Sequence, residues 1–338
     1  MIRSPSGALA LIPTPKELPQ AAYPRIASAG KAGWHFTFVV GKLGTRTNAL
    51  AFDSASIWYG RYDGRGWHDV RSVATASAAS LLPGVSSDLV ATDDEVAFVY
   101  AFDPVSTAKG ADPRVQGVVM LRHHNGRWLS DTLLTWEAPS FIQLVHERGS
   151  ALRAVFTQSY FASGRSHPRS LFTVQFKDGW AIPELLLEDS LGYIGAPLIA
   201  SGDSPPRVVG WRRASFDKRL ETVGWGELAM DGSLRVRGDV AAFDPSRRVG
   251  VVETAAHHTL LFIPSDSSRS ELRVSVIHDG AIDVLRMVHV PAAQSLTIGA
   301  SLPDGRVLIV TGGLGSIPTE PPASSYLTAL AVHCGATP

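Results

Sequence analysis

Short runs rich in Val, Leu, Phe and Tyr alternate with polar turns along the whole chain, and no stretch keeps a 3.6-residue apolar period long enough for a helix. Between many of these runs stands Asp-Gly or its relative Asn-Gly: Asp63-Gly64, Asn125-Gly126, Asp178-Gly179, Asp231-Gly232 and Asp279-Gly280. Tight hairpin loops need positive φ, which Gly adopts freely and Asn and Asp tolerate, so each dipeptide predicts a hairpin.

The segment from Asp88 shows the order best. Strand-like runs lie before and after Asp93-Asp94, from Val115 to Arg122, and from Arg127 to Leu134. The same order of four strands is predicted from 24 to 73, 140 to 187, 197 to 240 and 248 to 288. The turns are spaced 62, 53, 53 and 48 residues apart, a period of one four-stranded blade with insertions. A last module, 295 to 333, is short by one strand, and the N-terminal run Ala8 to Ile12 is available to complete it. The expected fold is therefore all-β: one domain, a six-bladed β-propeller closed by its N-terminal strand. Closure of this kind hides the sheet edges on which wrong pairing starts. Seven blades follow instead if a degenerate module lies between Thr75 and Ser86, and two packed sheets are the other architecture with strands this short.

Length and charge narrow the function classes. The chain has 338 residues, 31 basic against 31 acidic, so no overall field draws it to nucleic acid or an anionic membrane. No apolar run nears the roughly 18 residues of a spanning helix, and Ala8 to Ile12 is too short for a signal-peptide core, so a cytoplasmic protein is expected. The single cysteine, Cys334, permits no intrachain disulfide and reads as an inert terminal residue. Nucleophile-elbow, phosphate-loop, His-Glu-x-x-His and Cys-x-x-Cys signatures are all missing, and no cofactor or metal is expected. The histidine pairs His123-His124 and His257-His258 are not chelating units, because adjacent strand residues face opposite sides.

In such a ring the turns joining first to second and third to fourth strands share one face, and here they are short. The opposite face carries long, varied loops, where binding residues collect on a rigid frame. Those loops hold Lys42, Arg46, Arg165 and His167, with Asp103 among their few acids, which predicts a basic rim suited to a carboxylate, sulfate or phosphate. Tyr100, Tyr160, Arg212 and Arg213 end second strands and point to the same rim, joined by Glu137, Glu188 and Tyr193 from the links between modules. Glu137 or Glu188 is the candidate acid or base, His167 its partner, Arg213 the oxyanion clamp, and Tyr100 and Tyr160 platforms or proton donors. Trp67, Trp128 and Trp180 recur just after the turn and read as scaffold.

The stretch from Tyr62 through Asp63, Gly64 and Trp67 to Val70 resembles strand ends in lectin-type and sialidase-type propellers. Only a fragment of the sialidase Ser-x-Asp-x-Gly-x-x-Trp box is present, and no arginine triad maps onto the chain, so sialidase activity is not implied. The reading is a propeller that binds a polar ligand, anionic or sugar-like, at one axial funnel, with non-redox lyase, cyclase or hydrolase chemistry open. A carbohydrate-binding lectin and a protein-interaction scaffold are the alternatives.

Overall fold

The computed structural model describes residues 2–3, 9–10, 15–18, 22–28, 33–43, 52–77, 87–102, 116–135, 138–147, 151–159, 168–189, 192–200, 207–215, 221–242, 250–253, 259–264, 271–278, 281–289, 296–301, 306–312 and 327–333. All the described regular structure is β. After β1 (Ile2–Arg3) and β2 (Leu9–Ala10), sheet one comprises β3 (Ala22–Ser28), β4 (Trp34–Leu43), β5 (Phe52–Tyr62) and β6 (Trp67–Ser77). Sheet two holds β7 (Ser87–Ala91), β8 (Val96–Phe102), β9 (Gln116–His124) and β10 (Arg127–Thr135), and sheet three β11 (Ala138–His146), β12 (Leu152–Ser159), β13 (Pro168–Phe176) and β14 (Glu184–Glu188). Sheet four follows with β15 (Gly192–Ile199), β16 (Arg207–Ser215), β17 (Glu221–Leu228) and β18 (Leu234–Ala242). Sheet five has β19 (Gly250–Glu253), β20 (Thr259–Pro264), β21 (Glu271–His278) and β22 (Ala281–His289), and sheet six β23 (Leu296–Ser301), β24 (Arg306–Gly312) and β25 (Leu327–His333). Five sheets thus have four strands in simple sequence order, the pattern expected of a repeated blade.

The chain divides into two compact units, Thr14–Pro197 in one and Met1–Pro13 with Leu198–Pro338 in the other. In the first, sheets lie face to face. The strand β8 shows why: Val96, Phe98 and Tyr100 face sheet one beside Ile57 and Tyr59, whereas Ala97 and Val99 face sheet three beside Leu152, Ala154 and Phe156. A strand buried on both faces needs a continuous apolar run, and that is how β8 reads. The fourth strands keep apolar residues exposed, Leu129 and Leu134 in β10 and Leu185 in β14. In the second unit Leu198, Val208, Trp225, Val251, Leu261 and Ile277 join sheets four and five in the same way.

The turns do what their composition requires. Asn125 and Gly126 both take positive φ, 50° and 75°, in a two-residue loop between β9 and β10. Asp63 instead folds its carboxylate over the next turn, accepting the N–H groups of Arg65 at 2.8 Å and Gly66 at 2.9 Å, which pull its pKa down to about 2. Gly117 is required by contact: a Cβ there would lie 2.0 Å from the carbonyl oxygen of Leu133 on β10.

One expected pairing differs. Leu9–Ala10 was the part of the N-terminal run expected against the last sheet, yet it pairs with Ile2–Arg3, and it is β1 that lies beside β25. Closing a five-residue hairpin costs less chain entropy than pairing across the whole sequence, so the local partner takes β2. Sheet six has three described strands.

Candidate functional site

The repeat supplies its own control, because Trp67, Trp128 and Trp180 set a common register. Trp67 pairs with Tyr62, Trp128 with His123, and Trp180 with Phe176. Counting back from these, Gly33, His35, Tyr59 and Arg61 of sheet one stand where sheet two has Glu95, Ala97, Met120 and Arg122. Sheet three has Ala151, Arg153, Thr173 and Gln175 there. In the seam between sheets two and three, Ala97 and Met120 are fully buried apolar contacts. The seam between sheets one and two places a histidine and a tyrosine at those positions.

His35 and Tyr59 are buried, and His35 Nδ1 lies 2.7 Å from the Tyr59 hydroxyl. Burial first, then the charges of Arg61 and His123, hold the imidazole pKa down at about 4, while burial and Asp69 push the phenol up to about 12. Both are therefore neutral at pH 7. Among the described residues the hydroxyl has no other acceptor, so its O–H is assigned as the donor to Nδ1 and the imidazole proton to Nε2. That Nε2 is buried and has no hydrogen-bond partner.

Two more buried donors in this seam are in the same condition. Trp128 Nε1 has no partner, and its ring meets Tyr59 edge-on at 5.2 Å and His123 at 5.2 Å. Arg61 Nε has none at hydrogen-bond length, and the nearest carboxylate, Asp69, is 3.8 Å away. The local backbone explains Asp69. A register shift between Tyr59 and Arg61 inserts one extra residue into β6, and Asp69 adopts φ +56, a conformation Asp tolerates, which turns its side chain toward Arg61. Arg71, further along β6, donates to His123 Nε2 at 3.4 Å. Burial, then Arg71, lowers the His123 pKa, with the Gly126 carbonyl and Asp69 working against them.

Three unpartnered buried donors on side chains that touch or face one another make an uncommon grouping, since buried polar atoms are nearly always satisfied. They call for acceptor oxygens, and the flat faces of Tyr59, His123 and Trp128 offer apolar surface beside them. Among the described residues no group of three His, Cys, Asp or Glu side chains is arranged to hold a metal ion. Nor, among the described residues, is any helix long and apolar enough to cross a membrane.

A consequence follows for acid stability. The unfolded chain protonates His35 near its ordinary 6.5 and the folded one only near 4, so stability is complete above pH 6.5 and declines as pH falls toward 4. The loss amounts to about 3 kcal/mol at most. His35→Gln keeps an acceptor for the Tyr59 hydroxyl and cannot titrate, so urea midpoints at pH 7 and pH 4.5 are expected to differ less in the variant than in the native chain.

The residues expected at the long-loop rim are distributed differently. Glu137, His167, Tyr160, Arg165, Arg46 and Asp103 lie outside the described residues, and for Lys42 in β4, Arg212 in β16 and Tyr193 in β15 only the backbone is described. Tyr100 is buried in the first seam with its ring stacked on Phe98, and burial raises its pKa. Glu188 is exposed at the end of β14, across from Ser170. Arg213 donates through Nη1 to Asp239 at 3.2 Å. The seam residues His35, Tyr59, Arg61, Asp69 and Arg71 were not among the expected set. Their signal was the departure from the repeat at Gly33, His35 and Tyr59, visible only after the tryptophans are aligned. Trp128 does pack between sheets as expected of scaffold, and it also carries an unpartnered donor.

No protein-family model matches the chain, and no curated protein matches it. Solved structures do. A protein of unknown function from Dyadobacter fermentans matches with a TM-score of 0.61 at 12% identity, over 91% of this chain and 93% of that one. The GH93 α-L-arabinofuranosidase of Fusarium graminearum, in complex with arabinobiose, also gives 0.61, at 11% identity over 93% of each chain. The leech intramolecular trans-sialidase, bound to 2,7-anhydro-Neu5Ac, gives 0.53 at 9% identity over 86% of this chain and 64% of its own. At these identities the likeness is one of fold, and it makes the repeat of sheets propeller-like.

Proposed function

We propose that the chain is a six-bladed propeller that binds a carbohydrate in the seam between its first two sheets. The observation that carries this is the trio of unpartnered buried donors among the described residues, His35 Nε2, Trp128 Nε1 and Arg61 Nε, at the seam where His35 and Tyr59 stand in the positions that Ala97 and Met120 take in the next. Sugars match such a lining, since their hydroxyl and ring oxygens accept hydrogen bonds while their C–H faces stack on aromatic rings. Support also comes from fold, because structurally similar chains hold arabinobiose and a sialic-acid derivative. The reading expects one site per chain, which separates it from a lectin with an equivalent site in each blade.

A second reading keeps the ligand at the long-loop rim, with Glu137, Glu188, His167 and Tyr160 as acid-base groups and Lys42, Arg46, Asp103, Arg165, Tyr193, Arg212 and Arg213 as contacts. It is favoured by Phe141, which sits in a bulge of β11 at φ +48, a strained backbone for an aromatic residue, four residues beyond Glu137. Bulges of this kind re-aim side chains beside functional sites. Screening a saccharide array and titrating the hits by calorimetry decides between the two. The seam reading expects a stoichiometry near one and at least a tenfold loss of affinity in His123→Ala and Trp128→Phe, with Glu188→Gln and Arg213→Gln unaffected. The reverse pattern moves the site to the rim, and an array without hits removes the carbohydrate reading.

A further inference from the structure

Several guanidinium groups among the described residues are matched to carboxylates. In the seam after the first, Arg122 Nε donates to Glu95 at 2.5 Å, and its charge lies 4.9 Å above the Phe176 ring. Arg153 donates to Glu147, whose other oxygen accepts Gln175 at 2.7 Å. Arg237 donates to Glu227 at 2.6 Å. Arg61 occupies the strand position of Arg122, yet its Nε has no partner and Asp69 stays 3.8 Å off. Arg71 beside it bonds a neutral imidazole nitrogen.

The missing acid has a definite place. In sheet two it is Glu95; the matching position in sheet one is Gly33, at φ +94. A Cβ there would meet the Tyr62 carbonyl oxygen at 2.7 Å, so no acidic side chain can stand at that point. Asp63, the other nearby acid, is engaged by the Arg65 and Gly66 amides and by His68 at 2.9 Å. Among the described residues the first seam therefore holds two guanidinium groups for one loosely placed carboxylate.

We propose that the ligand of this seam is an acidic saccharide, whose carboxylate takes against Arg61 and Arg71 the place that Glu95 takes against Arg122. The proposal rests on the carbohydrate reading above and narrows its class. Arginine forks and carboxylates form paired, charge-assisted hydrogen bonds, which gives both affinity and orientation. The same contact couples binding to protons. His123 is faced by Arg71 and Asp69 from β6, Tyr59 from β5, His35 from β4 and His124 on its own strand. A carboxylate arriving at Arg71 offsets the cation that opposes protonation of His123, so the complex takes up a proton as it forms.

Calorimetric titration with disaccharides of glucuronate, galacturonate and mannuronate, each beside its neutral counterpart, tests this. At least one acidic sugar is expected to bind tenfold or more tightly than its neutral partner at pH 6. Arg61→Gln and Arg71→Gln are each expected to reduce that ratio at least fivefold, and binding enthalpies in buffers of different ionisation heat should report proton uptake that His123→Asn abolishes. Equal binding of acidic and neutral sugars, or a preference that both arginine variants retain, overturns the acidic class and leaves the carbohydrate reading standing. Absence of binding by every sugar in the array and the panel overturns the two together.

Discussion

Replacing Phe156 with alanine is expected to lower the stability of the native chain by about 3–5 kcal/mol, the range for truncating a fully buried aromatic side chain. Phe156 has no exposed surface and lies in β12 against Val99, Met120, Leu144 and Val174, with its ring 5.9 Å from that of Phe172 and nearly parallel to it. Its neighbours come from two sheets, so the cavity cannot close by moving one strand: each neighbour is held in a hydrogen-bonded ladder of its own. Phe156→Leu keeps most of the volume and is expected to cost less than half as much. Urea unfolding followed by tryptophan fluorescence measures both. A loss below about 1 kcal/mol for the alanine variant contradicts the face-to-face packing of sheets two and three.

The second large effect is expected at Glu95. Its side chain is 7% exposed and that of Arg122 17%, and they meet at 2.5 Å. Removing one partner leaves a guanidinium buried without its counter-charge, so Glu95→Ala is expected to cost about 3 kcal/mol or more. Removing both tells a different story: in Glu95→Leu with Arg122→Met, apolar groups fill the space beside Phe176, and the net change is expected to stay within about 1 kcal/mol of the native chain. A double-mutant cycle by chemical denaturation reads the coupling directly. A loss in the double variant equal to the sum of the two single losses would show that the pair acts as two independent contacts. The comparison also bears on the first seam, where Arg61 lacks the acid that Arg122 has.

Much of the fold was legible in the residues. Asn125-Gly126 dictated a tight turn, and both residues adopt the positive φ the dipeptide predicts. The apolar run after Asp93-Asp94 marked the strand β8, and the tryptophans after the turns marked scaffold contacts. Pairing of the N-terminal run was misread, because Leu9 and Ala10 suit any edge and the closer partner, Ile2–Arg3, prevailed. The candidate site was the least legible part. His35, Tyr59, Arg71 and His123 are spread over 89 residues of chain, and an alternating pattern says which face of a sheet a residue takes but not what faces it. Tyr100 illustrates the point: its place near the end of a second strand suggested a rim, and the neighbouring sheet buries it.

The amino-acid order by itself determined the local structure, since turn chemistry and apolar alternation act between residues a few positions apart. Only the tertiary structure decided which polar groups are left without partners. That depends on the sum of contacts from two separate sheets, as when Gly33 of one strand withholds from Arg61 the carboxylate that Glu95 supplies to Arg122.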